Sequence, residues 1–296
     1  VTEDTTRVRI LNELAGLLYR TDPELAIKYS GDARTIAEQV DDRPGLAEAY
    51  KNLGLGHYML SDYESALRYW NPSLGIFQAL GDERMVANIV GNQGSIYYNI
   101  GQNVEAIENY LRSLKIAEKL NDSIRIATMM LNIGLVYADQ PGTQDSAASY
   151  YLRALEMGEA IGYDDLIGVG EVNLGELYLA QELYDSAKVH FEKSLTILQS
   201  DIDIATSLNF IGRTYAGTGD YETAIRYHQD ALQMAEEQNA RLEMVKILLG
   251  LASAQLEKGE VRNALQSYER AMEISREIGT NHQLSAAYGG LAGTFA

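Results

Sequence analysis

A small residue returns through this chain at a nearly fixed interval. Ala15, Gly54, Gly94, Gly134, Gly175, Gly212, Ala252 and Ala292 stand 39, 40, 40, 41, 37, 40 and 40 residues apart. A second series follows each in register, at Ala26, Ala66, Ala106, Ala147, Ala187, Ala224 and Ala264. Seven positions later comes a third: Ala33, Ser73, Ser113, Ala154, Ser194, Ala231 and Ala271. Three series in step identify a repeat, and a repeat limits the chain to architectures in which each unit buries its apolar face against the next.

Each unit reads as two helices. Turn signals such as "SDYE" from Ser61, "GDYE" from Gly219 and "KGEV" from Lys258 fall between the first and second series. In "EAIENYLRSLKIAEKL" from Glu105, the residues Ala106, Ile107, Tyr110, Ser113, Leu114, Ala117 and Leu120 fall three and four apart on one stripe. The first-helix motif recurs as "YKNLGLGHYML", "VGNQGSIYYNIG", "LNIGLVYADQ", "VNLGELYLAQ" and "NFIGRTYAGTG". A glycine inside a helix costs about 1 kcal/mol relative to alanine, so a repeated one needs a packing reason. Gly54, Gly94, Gly134, Gly175 and Gly212 are read as places where helix backbones approach closely. Tyr97, Tyr110, Tyr137, Tyr151, Tyr178, Tyr215 and Tyr268 are read as the aromatic fillers beside them. Only four prolines interrupt the chain, and Pro72 falls inside a second helix, where it predicts a kink and pushes Asn71 from helical geometry.

The motif resembles the tetratricopeptide repeat, in its long form of about forty residues, over the whole chain. Similar units occur in kinesin light chains, Leu-Gly-Asn-repeat polarity adaptors and bacterial signalling proteins. The resemblance implies an all-α fold: a right-handed α-solenoid of about seven helix pairs plus the first helix of an eighth, over residues 1–296 as one domain.

Two residues before the packing glycine stand Asn52, Asn92, Asn132 and Asn173. A step of two turns a side chain about 200° around a helix, so these amides are expected to leave the face the glycines occupy. In the family, the first helices line a concave groove and the matching asparagines hydrogen-bond the backbone of an extended peptide. An amide suits that task because it offers one donor group and one acceptor to a peptide unit. Glu48, Asn88, Thr128 and Val169 on one side, and Leu55, Ser95, Leu135 and Glu176 on the other, would then read side chains. The alternative for the asparagines is bonding to the neighbouring repeat to fix its stacking. Their slot holds Glu13, Phe210, Gly250 and Gly290 in the remaining units, which places the binding stretch in repeats two to five. Near its end, "DQPGTQ" (139–144) lengthens one turn and "QSDIDI" (199–204) shortens one link, so the superhelix is expected to bend there.

Chemistry beyond binding has no visible seat. His57 and His228 occupy places where other units carry an aromatic residue, while His190 and His282 stand alone. HExxH, GxxxxGK[ST], CxxC and GxSxG are absent, there is no cysteine, and Asp41-Asp42 and Asp164-Asp165 fall in turns, where they are expected to cap helices. No enzyme activity, cofactor or metal is expected from these residues. The formal charge of −18 opposes nucleic acid and anionic lipid and favours a basic or neutral protein or peptide partner. No window has the roughly 20 apolar residues of a membrane span.

The opening 3–39 also resembles the start of the repeat region in bacterial sensor histidine kinases and class III nucleotidyl cyclases. That resemblance implies an extracytoplasmic sensory piece of a longer protein, regulating a C-terminal output domain. The first residue, Val1, and the unpaired last helix agree with an excised piece. A different function class stays open at this point: an assembly scaffold that forms homodimers and leaves the groove empty.

Overall fold

The structure, a computed structural model, describes residues 3–278 and 280–293, with the side chains of Asn281, His282 and Gly293 outside that description. The side chain of His282 and the last three residues of the expected final helix therefore lie outside that description. All regular structure among them is helical, in two compact units, residues 1–139 and 140–296.

The first unit runs α1 (Glu3–Leu18), α2 (Pro23–Gln39), α3 (Arg43–Met59), α4 (Tyr63–Leu80), α5 (Glu83–Asn99), α6 (Asn103–Leu120) and α7 (Ser123–Ala138). The second runs α8 (Gln144–Ile161), α9 (Asp164–Ala180), α10 (Tyr184–Ile197), α11 (Asp201–Gly217), α12 (Tyr221–Glu237), α13 (Arg241–Glu257), α14 (Val261–Ile278) and α15 (Asn281–Gly293). Within each unit every helix packs on the next in sequence. Odd-numbered helices, the first helices of the repeats, also touch one another: α1 on α3, α5 on α7, and α9, α11, α13 and α15 in succession. This is the contact scheme of an α-solenoid.

The turns explain why the chain reverses where it does. Asp41, Ser61, Gly81, Asn121 and Gly219 have positive φ, and an aspartate follows each. The Asp42, Asp62, Asp82, Asp122 and Asp220 carboxylates then accept the N–H of the third residue of the next helix, at 3.0–3.1 Å. One left-handed residue closes a helix and its neighbour caps the next. Hydrogen bonds from Ser65 and Thr223 hold the Asp62 and Asp220 carboxyls below the usual carboxylate range. Asp164 and Asp165 instead lie in the first turn of α9, whose N-cap, Tyr163, makes no side-chain bond; their charge meets the helix dipole.

All second- and third-series small residues are fully buried. Where the third is serine it adds a bond: Ser73 Oγ donates to the Ala47 carbonyl and Ser113 Oγ to that of Ala87, both at 2.7 Å. Pro72 does not end α4, and Asn71 stays helical. Both residues are exposed, so the carbonyl that proline leaves unbonded lies on a side that water reaches. Asn71 is also held by Gln93 Nε2, 2.9 Å from its Oδ1. The shortened link is real: α10 stops at Ile197, Leu198 turns extended (φ −66°, ψ 136°), and its side chain packs where a Cβ on Gly168 would stand.

Not every glycine serves packing. A Cβ built on Gly75, exposed on α4, would meet nothing. Gly75→Ala should therefore raise stability by about 1 kcal/mol through helix propensity alone. Urea unfolding checks this; an unchanged or lowered midpoint would show that the glycine has a constraint the packing does not contain.

Candidate functional site

On the first helices, half-buried positions recur at spacings of four and three: Asn88, Asn92 and Ser95 on α5, then Thr128, Asn132 and Leu135 on α7. On α9 the same places hold the exposed Val169 and the half-buried Asn173 and Glu176. Such spacing puts three side chains on one strip of a helix. On α5, Asn92 Nδ2 donates to Asn88 Oδ1 at 3.1 Å, which fixes both amides side by side. Ser95 Oγ accepts from the Tyr110 hydroxyl at 3.2 Å, and burial pushes that phenol up to about 12. The Thr128 hydroxyl donates back to the Ile124 carbonyl at 2.8 Å.

Asn52 departs from this arrangement. It is 2% exposed, and its Nδ2 donates across the repeat boundary to the Asn12 carbonyl at 3.0 Å. Asn12, in turn, donates to the Gly45 carbonyl at 2.9 Å. The expectation that a side chain turned from the glycine face must leave the packed surface fails here for a physical reason. A first helix in a stack is packed by its own partner and by neighbouring repeats, so the side away from the partner need not be free.

The packing glycines sit as expected, and their fillers come from the partner second helix, Tyr110 among them as expected. A Cβ on Gly94 would stand 2.7 Å from Tyr110, on Gly175 2.5 Å from Phe191, and on Gly212 2.8 Å from His228. One on Gly54 would collide with Trp70. Gly134 is buried on α7. Tyr97, Tyr137, Tyr178 and Tyr215 are half-buried companions at the rim. Tyr178 stacks on His190 and Tyr215 on Tyr227, with centroids 5.3 and 5.5 Å apart. Gly250 and Gly290 interrupt the asparagine series because the slot presses on the preceding repeat's ring: His228 lies 2.7 Å from a Cβ on Gly250, and Tyr268 blocks one on Gly290.

His190 does not stand alone. Its Nδ1 lies 2.5 Å from Oε2 of Glu171, a carboxylate only 4% exposed on α9, and Lys193 Nζ is 3.6 Å from the other oxygen. His57 Nδ1 lies 3.0 Å from Asp62. His228 is fully buried between Gly212 and Gly250 with neither ring nitrogen bonded, and burial, aided by Arg213, pushes it down to about 4. Among the described residues no three His, Asp or Glu side chains converge as metal ligands, and no helix is long and apolar enough to cross a membrane.

Three cavities open on the first helices. In the first unit, one of about 580 Å³ lies between α1 and α3 beside Asn12 and Asn52, and one of about 310 Å³ is lined by Leu55, Met59, Asn92 and Ser95. In the second, a cavity of about 580 Å³ touches four successive first helices. Val172, Phe210, Ile247 and Leu249 give it apolar walls, and Arg213, stacked 5.2 Å over Phe210, stands at it without an ion pair among the described residues. Sequence reasoning passed over this region because its asparagine slots hold Phe210 and Gly250. The signal was there in the pair: Gly250 has no side chain to fill the strip, and Phe210 puts an apolar ring beside the space left open.

The tetratricopeptide repeat pattern matches residues 6–79, 85–160 and 167–237, and a second pattern of the same description matches 211–277. Among the solved structures similar in fold are the following. The apo form of RapI is 19% identical, over 93% of this chain and 99% of that one, with a TM-score of 0.72. The Rap conjugation gene regulator of plasmid pLS20, solved in complex with the Phr* peptide, is 15% identical over 98% and 94%, TM-score 0.64. BtubC from P. vanneervenii is 22% identical over 74% and 93%, TM-score 0.61.

Proposed function

Since the chain belongs to the tetratricopeptide repeat family, we propose that it is a protein-interaction module whose first helices hold an extended peptide segment. The observation that carries this reading is the cavity of the second unit. An opening shared by the first helices of four successive repeats suits a ligand that runs across repeats. In the first unit the half-buried strips of α5 and α7 supply amides at Asn92 and Asn132, flanked by Asn88, Ser95 and Thr128; in the second, α9 supplies Asn173 beside Glu176. Asn52, already bonded to Asn12, keeps neighbouring repeats in register. The pLS20 Rap regulator, similar in fold, was solved with a peptide bound, which agrees with this use of the scaffold.

Because each repeat touches mainly its neighbours, a ligand spanning several of them biases their relative packing, and such a change can be passed to an attached domain. With 23 acidic against 11 basic residues from 140 onward, net −12 of the total −18, the second unit favours a neutral or basic segment.

The test is a peptide-library screen with the wild type beside an Asn92→Ala, Asn132→Ala double variant whose helix content and melting match it. Loss of two backbone-reading amides should weaken binding by about tenfold or more across unrelated peptide sequences. Equal binding by both proteins would assign the asparagines to stacking. Sedimentation across concentration separates the scaffold alternative, which requires a tight dimer indifferent to these substitutions.

A further inference from the structure

The 310 Å³ cavity of the first unit is more specific in its chemistry than an amide strip. Leu55, Tyr58 and Met59, from the last turns of α3, form one wall. Met59 is 41% exposed, an apolar side chain left facing water at a concave site. Behind them lies Trp70, whose ring centroid is 5.9 Å from that of Tyr58, so the wall is backed by a packed aromatic pair. Opposite stand Asn92 and Ser95 of α5. The Ser95 hydroxyl is engaged inward by Tyr110 and the Gly91 carbonyl. Asn92 spends its amino group on Asn88, which leaves its carbonyl oxygen as an acceptor beside the apolar wall. At the mouth, Arg20 donates its Nε–H to the Tyr19 hydroxyl at 2.8 Å, with its guanidinium 5.6 Å from that ring and no carboxylate paired to it among the described residues.

We propose that this cavity is a side-chain subsite that selects an aromatic residue of the bound peptide, held with its backbone N–H on Asn92 Oδ1. The inference rests on the peptide-binding reading above and adds the side-chain class that the asparagines alone leave undefined. Volume and chemistry both select the guest. A cavity at the small end of the range for binding sites suits one large side chain. Walls of leucine, methionine and tyrosine favour a ring over a branched aliphatic group, through sulfur–aromatic and edge-to-face contacts. Arg20 supplies a cation positioned to stack on a π-face that reaches the mouth. A cationic guest would lose its hydration against Leu55 and Met59 and meet Arg20 at the mouth, a charge of its own sign.

The experiment is positional scanning of peptides recovered from the library screen, repeated on Leu55→Ser, Met59→Ser, on Asn92→Ala, and on Met59→Ser alone. The single variant changes an exposed residue and keeps the test valid if the double variant does not fold. In the wild type, replacing one aromatic position by alanine should weaken binding about tenfold or more, as burial of a large ring requires. In the double variant that ratio should fall to about twofold, and in Met59→Ser to an intermediate value, while Asn92→Ala lowers all peptides together. Peptides that bind without an aromatic preference, or a preference that survives the wall substitutions, would overturn the subsite and leave the interaction module standing. No bound peptide at all would overturn both.

Discussion

Trp70→Ala should cost the first unit about 3–5 kcal/mol, the largest effect expected of any single truncation in the chain. The indole is fully buried against the Cα of Gly54, and its Nε1–H donates to the Lys51 carbonyl at 3.1 Å. Removing it leaves a cavity that a glycine cannot fill and takes the donor from a carbonyl in the helix wall. Since it is the one tryptophan in the sequence, wild-type fluorescence reports on this repeat alone, while circular dichroism reports on all helices. Unfolding by urea should show Trp70→Ala losing part of its helix signal at lower urea than wild type, with Trp70→Phe close to wild type. A shift worth under about 1 kcal/mol for the alanine variant would mean that the interface collapses onto the vacancy, contrary to close packing by rings and glycines.

Acid should weaken the second unit by about 3 kcal/mol through His228 alone. The folded-state value of about 4 lies below the 6.5 of a free histidine, because the ring is enclosed and Arg213 opposes a second positive charge. The unfolded chain therefore binds the proton first. Stability from this residue is intact above pH 6.5, declines as pH falls, and is fully lost below about pH 4, at about 1.4 kcal/mol per unit of separation. Phe191 occupies the equivalent place in the preceding repeat, so His228→Phe fits the slot and removes the titration. Carboxylates titrate over part of the same range, and the difference between wild type and variant isolates the histidine. Midpoints that run parallel from pH 7 to pH 4 would refute the assignment.

Much of the fold was legible because a repeated small residue is a packing statement made in sequence. Gly94 and Gly175 state it identically, and so do the buried alanines of the second series. The rings that face the glycines were harder to read. Trp70, Tyr110, Phe191, His228 and Tyr268 each stand four residues after a second-series alanine, but four residue types share the place, and a search for tyrosine passes over three of them. What unites them is a flat ring of roughly equal depth. Asn52 was legible only as one of two alternatives, since the choice between groove and stacking depends on the Asn12 carbonyl forty residues earlier. Glu171 was likewise hidden: a buried carboxylate is tolerable only with His190 and Lys193 beside it, and that juxtaposition exists only after α9 and α10 pack. The candidate site divides in the same way. The amide series is a matter of spacing, whereas the cavities arise from what neighbouring helices fail to fill.

The turns carry a consequence for ancestry. Where a left-handed residue and a capping aspartate both lie between the two helices they join, a repeat brings its own closure with it and needs no matching sequence elsewhere. Copies of such a unit can be inserted or deleted whole, and the chain on either side reads on unchanged. The link from Leu198 to Ser200 has no such closure: it is extended, and the helix after it begins without a side-chain cap. That junction relies instead on Leu198 seated against Gly168, so a repeat copied through it would have to carry both residues to keep the fit.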